Sequence, residues 1–161
     1  MNYSKIIYKR GTASKKDIVE HLYRCASNFE PPLDSYTNIE EYGSKIFEHA
    51  KTFEAWENNI LIGLVAVYYN DMETRIGFIT NVSVVKEKQG LGIAHILIEN
   101  AIDYGKEKNF VQVDLEIKDI NNTKVFNLYK NLGFTLTPQI NNKNIMSHLL
   151  ISKIEDPKKT L

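Results

Sequence analysis

The chain has 161 residues, 43% apolar and 25% charged, the balance of a soluble globular protein long enough to bury a substantial core. Twenty basic residues offset twenty acidic ones, so no overall positive field points to nucleic acid or an anionic membrane. The longest apolar run, ILIGLVAVYY at 60–69, has ten residues, against roughly 18 for a membrane span.

In chain order, MNYSKIIYKRGT lacks the apolar stretch of a signal peptide, and its SKIIYKR part reads as a first strand. SKKDIVEHLYRCASNF follows as a helix, with Ser14 as N-cap and Ile18, Leu22 and Cys25 at helical spacing. Cys25 is the one cysteine, which excludes an internal disulfide and suits a reducing cytoplasm. With no base beside it, it reads as an inert buried thiol rather than a nucleophile. EPPLDSY is a loop, because Pro31 and Pro32 cannot continue a helix. NIEEYGSKIFEHAK is a second helix with Ile39, Tyr42, Ile46 and Phe47 on one side. TFEAWE and ILIGLVAVYY flank Asn58-Asn59, a two-residue hairpin turn, and DMET turns the chain into RIGFITNVSVV.

A third helix buries Ala94, Leu97, Ile98, Ala101, Ile102 and Gly105. FVQVDLEI alternates as a strand. NNTKVFNLYKNLGF places Val125, Leu128, Tyr129 and Leu132 on one face, with Asn121 or Asn122 as cap and Gly133 as stop. FTLTP and NIMSHLLIS close the chain as strands, and DPKKTL is a solvated tail. The order predicts an α/β fold: a three-layer sandwich around a mixed, mostly antiparallel sheet of about seven strands with about four helices. One domain is expected over 1–155, with 156–161 as tail.

The corner KEKQGLGIAH at 86–95 raises the functional question. It is no P-loop, since no Gly-Lys-Ser/Thr follows, and His95 stands where a dinucleotide fingerprint needs glycine. Gly90 and Gly92 either ease a tight turn or bare N–H groups to a phosphate at the positive end of a helix.

The pattern V-x-x-x-x-Q-G-x-G-x-A (Gln89, Gly90, Gly92, Ala94), followed by helix, strand and N-x-x-V-x-x-L-Y-x-x-x-G-F (Asn122 to Phe134), resembles the GNAT superfamily of acyl-CoA-dependent N-acyltransferases. The resemblance implies an enzyme that transfers acetyl from acetyl-CoA to a primary amine (small molecule, amino sugar or peptide) in a ternary complex. With the charge balance and the single cysteine, a cytoplasmic protein with no nucleic-acid or membrane partner is expected, and a homodimer is left open. A non-catalytic acyl-CoA sensor of the same fold is the alternative. Gln89, Gly90, Leu91, Gly92, Ile93 and Ala94 would form the pyrophosphate loop. A bulge would part FITNVSVV from VQVDLEI, so that the pantetheine arm pairs with backbone near Val82, Ser83 and Val84, and Asn122 would cap its helix and hold the arm.

Such chemistry needs proton transfer. An alkylammonium with a pKa of about 10.4 is neutral only about once in a few thousand molecules at pH 7. A base must take its proton and an acid must protonate the departing thiolate. Tyr129 matches the family's tyrosine and is the expected acid, beside a plain reading as core aromatic. Glu116, in an LEI strand end like the family's LEV, is the expected base, beside a reading as solvated or ion-paired. Glu30 and Asp34 flank the PPL loop and are candidates to hold the acceptor ammonium. His21, His95 and His148 lack metal-ligand spacing, so no metal is expected.

Overall fold

The computed structural model describes residues 4–150; the proposed tail and domain end at 155 lie outside them. The elements are β1 (Ile7–Arg10), α1 (Lys15–Cys25), α2 (Ile39–His49), β2 (Lys51–Glu57), β3 (Ile60–Tyr68), β4 (Ile76–Val84), α3 (Ile93–Glu107), β5 (Gln112–Ile117), α4 (Thr123–Asn131), β6 (Thr135–Leu136) and β7 (Asn144–Leu149). Seven strands lie in the order β1-β2-β3-β4-β5-β7-β6, and only β4 and β5 run parallel. One core packs the α1–α2 layer on Leu64 and Ala66 of β3. The other packs α3 and Tyr129 of α4 on Val65 and Val67, the alternate residues of the same strand.

Local chemistry sets the boundaries. Ser14 accepts from Asp17 N while Asp17 accepts from Ser14 N, a complete capping box. Asn38 caps α2 through Glu41 N at 3.0 Å. Asn58 and Asn59 adopt φ 50° and 63°, as a tight β2–β3 hairpin requires.

Some expectations shift. The covered stripe of α2 is Ile39, Gly43 and Ile46, and Phe47 stays 51% exposed. Gly43 sets this rotation: a Cβ there would lie 2.5 Å from Val19 Cγ2, so α1 and α2 touch along the glycine. On α3 the buried stripe begins at Ile93, with Ala94 only half-buried. The EPPLDSY loop contains one 3-10 turn, Leu33–Ser35, which buries Leu33. The FTLTP strand shortens to Thr135–Leu136.

Glu54, inside the apolar β2, is fully buried. Its carboxylate accepts from Thr12 N and Oγ1, Ala13 N, Thr52 Oγ1 and Trp56 Nε1. Five neutral donors replace water, and they tie the β1–α1 link to the sheet.

Candidate active site

The sheet splits in its middle. β4 and β5 pair only from Ile76↔Gln112 to Ile79↔Leu115, although β4 continues to Val84 and β5 to Ile117. At the same point the β3–β4 register jumps from Ala66↔Asn81 to Val67↔Ile79, leaving Thr80 as a bulged residue. The strands therefore diverge into a V with its crotch at Ile79–Thr80 and Leu115–Glu116.

Pairing parity decides which backbone groups face the V. Val85 N donates to Ile62 O, so residues 85, 83 and 81 pair with β3. The N–H and C=O groups of Val82 and Val84, the alternate residues, point away from β3 into the opening. Ser83 does not share this position: its backbone pairs with Leu64 and its buried hydroxyl meets His21. Gln89 Nε2 donates to Val84 O at 3.1 Å, so the corner side chain engages that carbonyl.

The glycine corner follows β4 directly. Gly90 and Gly92 have φ +82° and +81°, and nothing lies within 4 Å of a Cβ built on either. Both need the left-handed region that glycine enters without cost. The N–H groups of residues 90–95 have no hydrogen-bond partner among the described residues, since Ile96 N to Gly92 O is the first bond of α3. Ile93 offers only its N–H, because its side chain is in the core. Unpaired donors at a helix N-terminus with open space above them suit a phosphate.

Tyr129 has its ring in the core, edge-on to Phe134 with centroids 5.8 Å apart. Its hydroxyl makes no hydrogen bond among the described residues. Burial pushes the phenol up to about 12, keeping it protonated at neutral pH. Gly133 and Phe134 end α4 behind it in a Schellman motif: Gly133 N bonds Lys130 O and Phe134 N bonds Tyr129 O, both at 3.0 Å. Asn122 caps α4, its Oδ1 accepting from Val125 N at 3.3 Å, and its Nδ2 has no hydrogen-bond partner among the described residues.

Glu116 stands on β5 just past the crotch and pairs with Lys118 at 3.7 Å. Glu30 and Asp34 are exposed on the loop before α2. His21 is buried under β4, His95 pairs with Glu99 at 2.9 Å on α3, and His148 packs on Phe134. Among the described residues no cluster of His, Cys, Asp and Glu could hold a metal, and no helix could cross a membrane. Burial pushes the Cys25 thiol up to about 11, away from nucleophilic use.

Sequence reasoning missed the polar groups beneath the bulge. Tyr42 Oη donates to Thr80 O at 2.6 Å, fastening α2 to the unpaired residue. His21 Nε2 lies 2.9 Å from Ser83 Oγ, and His21 Nδ1 lies 3.1 Å from Leu61 O. Ser83 and Asn81 alternate with Val82 and Val84, a polar/apolar period of two that marks them as facing the α1 layer.

Known proteins place this arrangement. The profile of the Acetyltransferase (GNAT) family matches residues 15–134. No curated protein sequence matches the chain. Solved structures do. The PaiA N-acetyltransferase from Thermoplasma acidophilum in complex with coenzyme A is 17% identical, with TM-score 0.71 over 90% of this chain and 99% of that one. The ribosomal-protein-S18-alanine N-acetyltransferase from Escherichia coli is 16% identical, with TM-score 0.71 over 93% and 98%. A spermidine N-acetyltransferase chimera from Vibrio cholerae and hSSAT is 21% identical, with TM-score 0.70 over 91% and 96%.

Proposed function

Since the chain belongs to the Acetyltransferase (GNAT) family, we propose that it is an N-acetyltransferase that moves an acetyl group from acetyl-CoA to a primary amine in one ternary complex. The observation that carries this is the V between β4 and β5, lined by the β3-averted backbone of Val82 and Val84, with the Val84 carbonyl held by Gln89, and capped by the N–H groups of 90–95, which have no partner among the described residues. Those donors would hold the pyrophosphate. The extended arm would add to β4 as a short strand, and Asn122 would bond it from α4. From Val84 to Thr80 is about 13 Å at the strand rise, so the thioester end would come to the crotch beside Glu116. The co-substrate supplies an activated acyl group, and the protein supplies position and proton transfer.

Glu116 is assigned as base for the acceptor ammonium, directly or through water, and Tyr129 as the acid that protonates the leaving sulfur. Glu30 and Asp34 are assigned to the approach of a cationic acceptor, on the loop preceding α2. Direct transfer agrees with the buried, weakly acidic Cys25. The test is thiol release from acetyl-CoA with a panel of spermidine, tyramine, glucosamine and an alanyl peptide. Turnover with any of them supports the enzyme. Tight binding of acetyl-CoA without turnover on a broad amine panel would instead make the protein an acyl-CoA sensor.

A further inference from the structure

At the crotch, where the cofactor path would end, the end of β5 and the residue after it form a small site. Glu116 and Lys118 fall on one face of the strand line. Lys118 Nζ lies 3.7 Å from Glu116 Oε1 and 4.9 Å from the centroid of the Tyr36 ring. Tyr36 lies on the loop between α1 and α2, so that loop meets the residue that follows β5 through the Lys118–Tyr36 contact. The Tyr36 hydroxyl is held above its ordinary range by burial and then by the charge of Glu116. A carboxylate beside an aromatic face is the pairing that recognises an alkylammonium. Lys118 is itself a primary alkylammonium, and it fills that pairing. The ion pair is partly exposed, with Lys118 45% and Glu116 24% accessible, so exchange with a ligand costs little.

We propose that Lys118 occupies the seat of the acceptor amine, and that without an acceptor the protein acetylates its own Lys118. The proposal rests on the acetyltransferase reading above and names the group its site takes, an unhindered aliphatic ammonium. In the step, the Lys118 ammonium gives one proton to Glu116 and on to solvent. Its neutral Nζ adds to the thioester carbonyl, the N–C bond forms and the C–S bond breaks. The second nitrogen proton balances the one that Tyr129 gives to sulfur, so the products are Nζ-acetyl-lysine, free CoA thiol and one released proton. The acetylated side chain has no charge for Glu116, and the pair dissolves.

The test incubates the full chain with acetyl-CoA alone and maps acetylation by peptide mass spectrometry. Lys45, which lies over the Tyr68 ring at 5.4 Å, reports uncatalysed acylation by the thioester. Lys118 should gain its acetyl group at least about tenfold faster than Lys45, as expected of a positioned nucleophile. Spermidine should slow the gain, and Tyr129→Phe should slow it together with amine turnover. Lys118→Met should lower KM for whichever panel amine is accepted. Equal acetylation of Lys118 and Lys45 in a protein that turns over an amine overturns the proposal and leaves the enzyme standing. Loss of both reactions overturns the acetyltransferase reading itself.

Discussion

At the scale of single residues, Tyr129 combines a packed ring with a hydroxyl that bonds nothing among the described residues, and Tyr129→Phe separates the two. The ring contact with Phe134 survives in the variant, so stability should fall by about 1 kcal/mol or less. Turnover should fall about 10²–10⁴-fold, the range of a lost general acid, with acetyl-CoA affinity little changed. Unchanged turnover with chemistry rate-limiting would return Tyr129 to the core. His21 gives a second prediction. Burial lowers its pKa from 6.5 to about 4, so between these values the unfolded chain binds a proton that the native one refuses. Its stabilising contribution is present above pH 6.5 and is lost as pH falls toward 4, by about 3 kcal/mol in all. Urea midpoints from pH 7 down to 4.5 should show this slope, and His21→Gln should flatten it; an unaltered slope would place the acid sensitivity elsewhere. The buried place of Tyr129 on α4 was readable because helical spacing is local. His21 and Glu54 were not, because their partners Leu61 and Ala13 lie 40 and 41 residues away.

Among the elements, the N-terminus of α3 is where sequence and structure agree most closely. The two glycines serve both readings of the corner: left-handed φ is needed for the turn, and the same turn leaves six N–H groups without a partner among the described residues. Gly92→Val forces a β-branched residue into that region, at about 1–2 kcal/mol, while the space around it stays open. The fold should survive, and acetyl-CoA binding by calorimetry should weaken at least about tenfold, through distortion of the donors and the bulk placed over them. Normal binding in both Gly90→Val and Gly92→Val would make this only a corner. Helix caps and the hairpin were readable for the same local reason: Ser14, Asn58 and Asn122 each act within three residues. Ser83 was misplaced because strand parity depends on the β3 register, which no single strand reveals.

For the whole molecule, the V makes the sheet two half-sheets, β1–β4 and β5-β7-β6, joined by the short β4–β5 ladder, with α3 lying over both. A ligand that bonds β4, the α3 N-terminus and α4 would tie the halves together. Binding should therefore stabilise globally, by about 2.7 kcal/mol at 100 times Kd, or about 5–10 °C in Tm for a chain of this size. The location of the effect is more decisive than its size. Hydrogen exchange with and without CoA should show new protection at the amides of Val82 and Val84 and at residues 90–95. Ser83 and Val85 should change little, since both already donate to β3. Alternating protection along one strand is the signature of an arm laid as an added strand in the V. Uniform protection of β4, or none at 82 and 84 despite a raised Tm, would mean that CoA binds elsewhere and that the divergence of the strands serves another purpose.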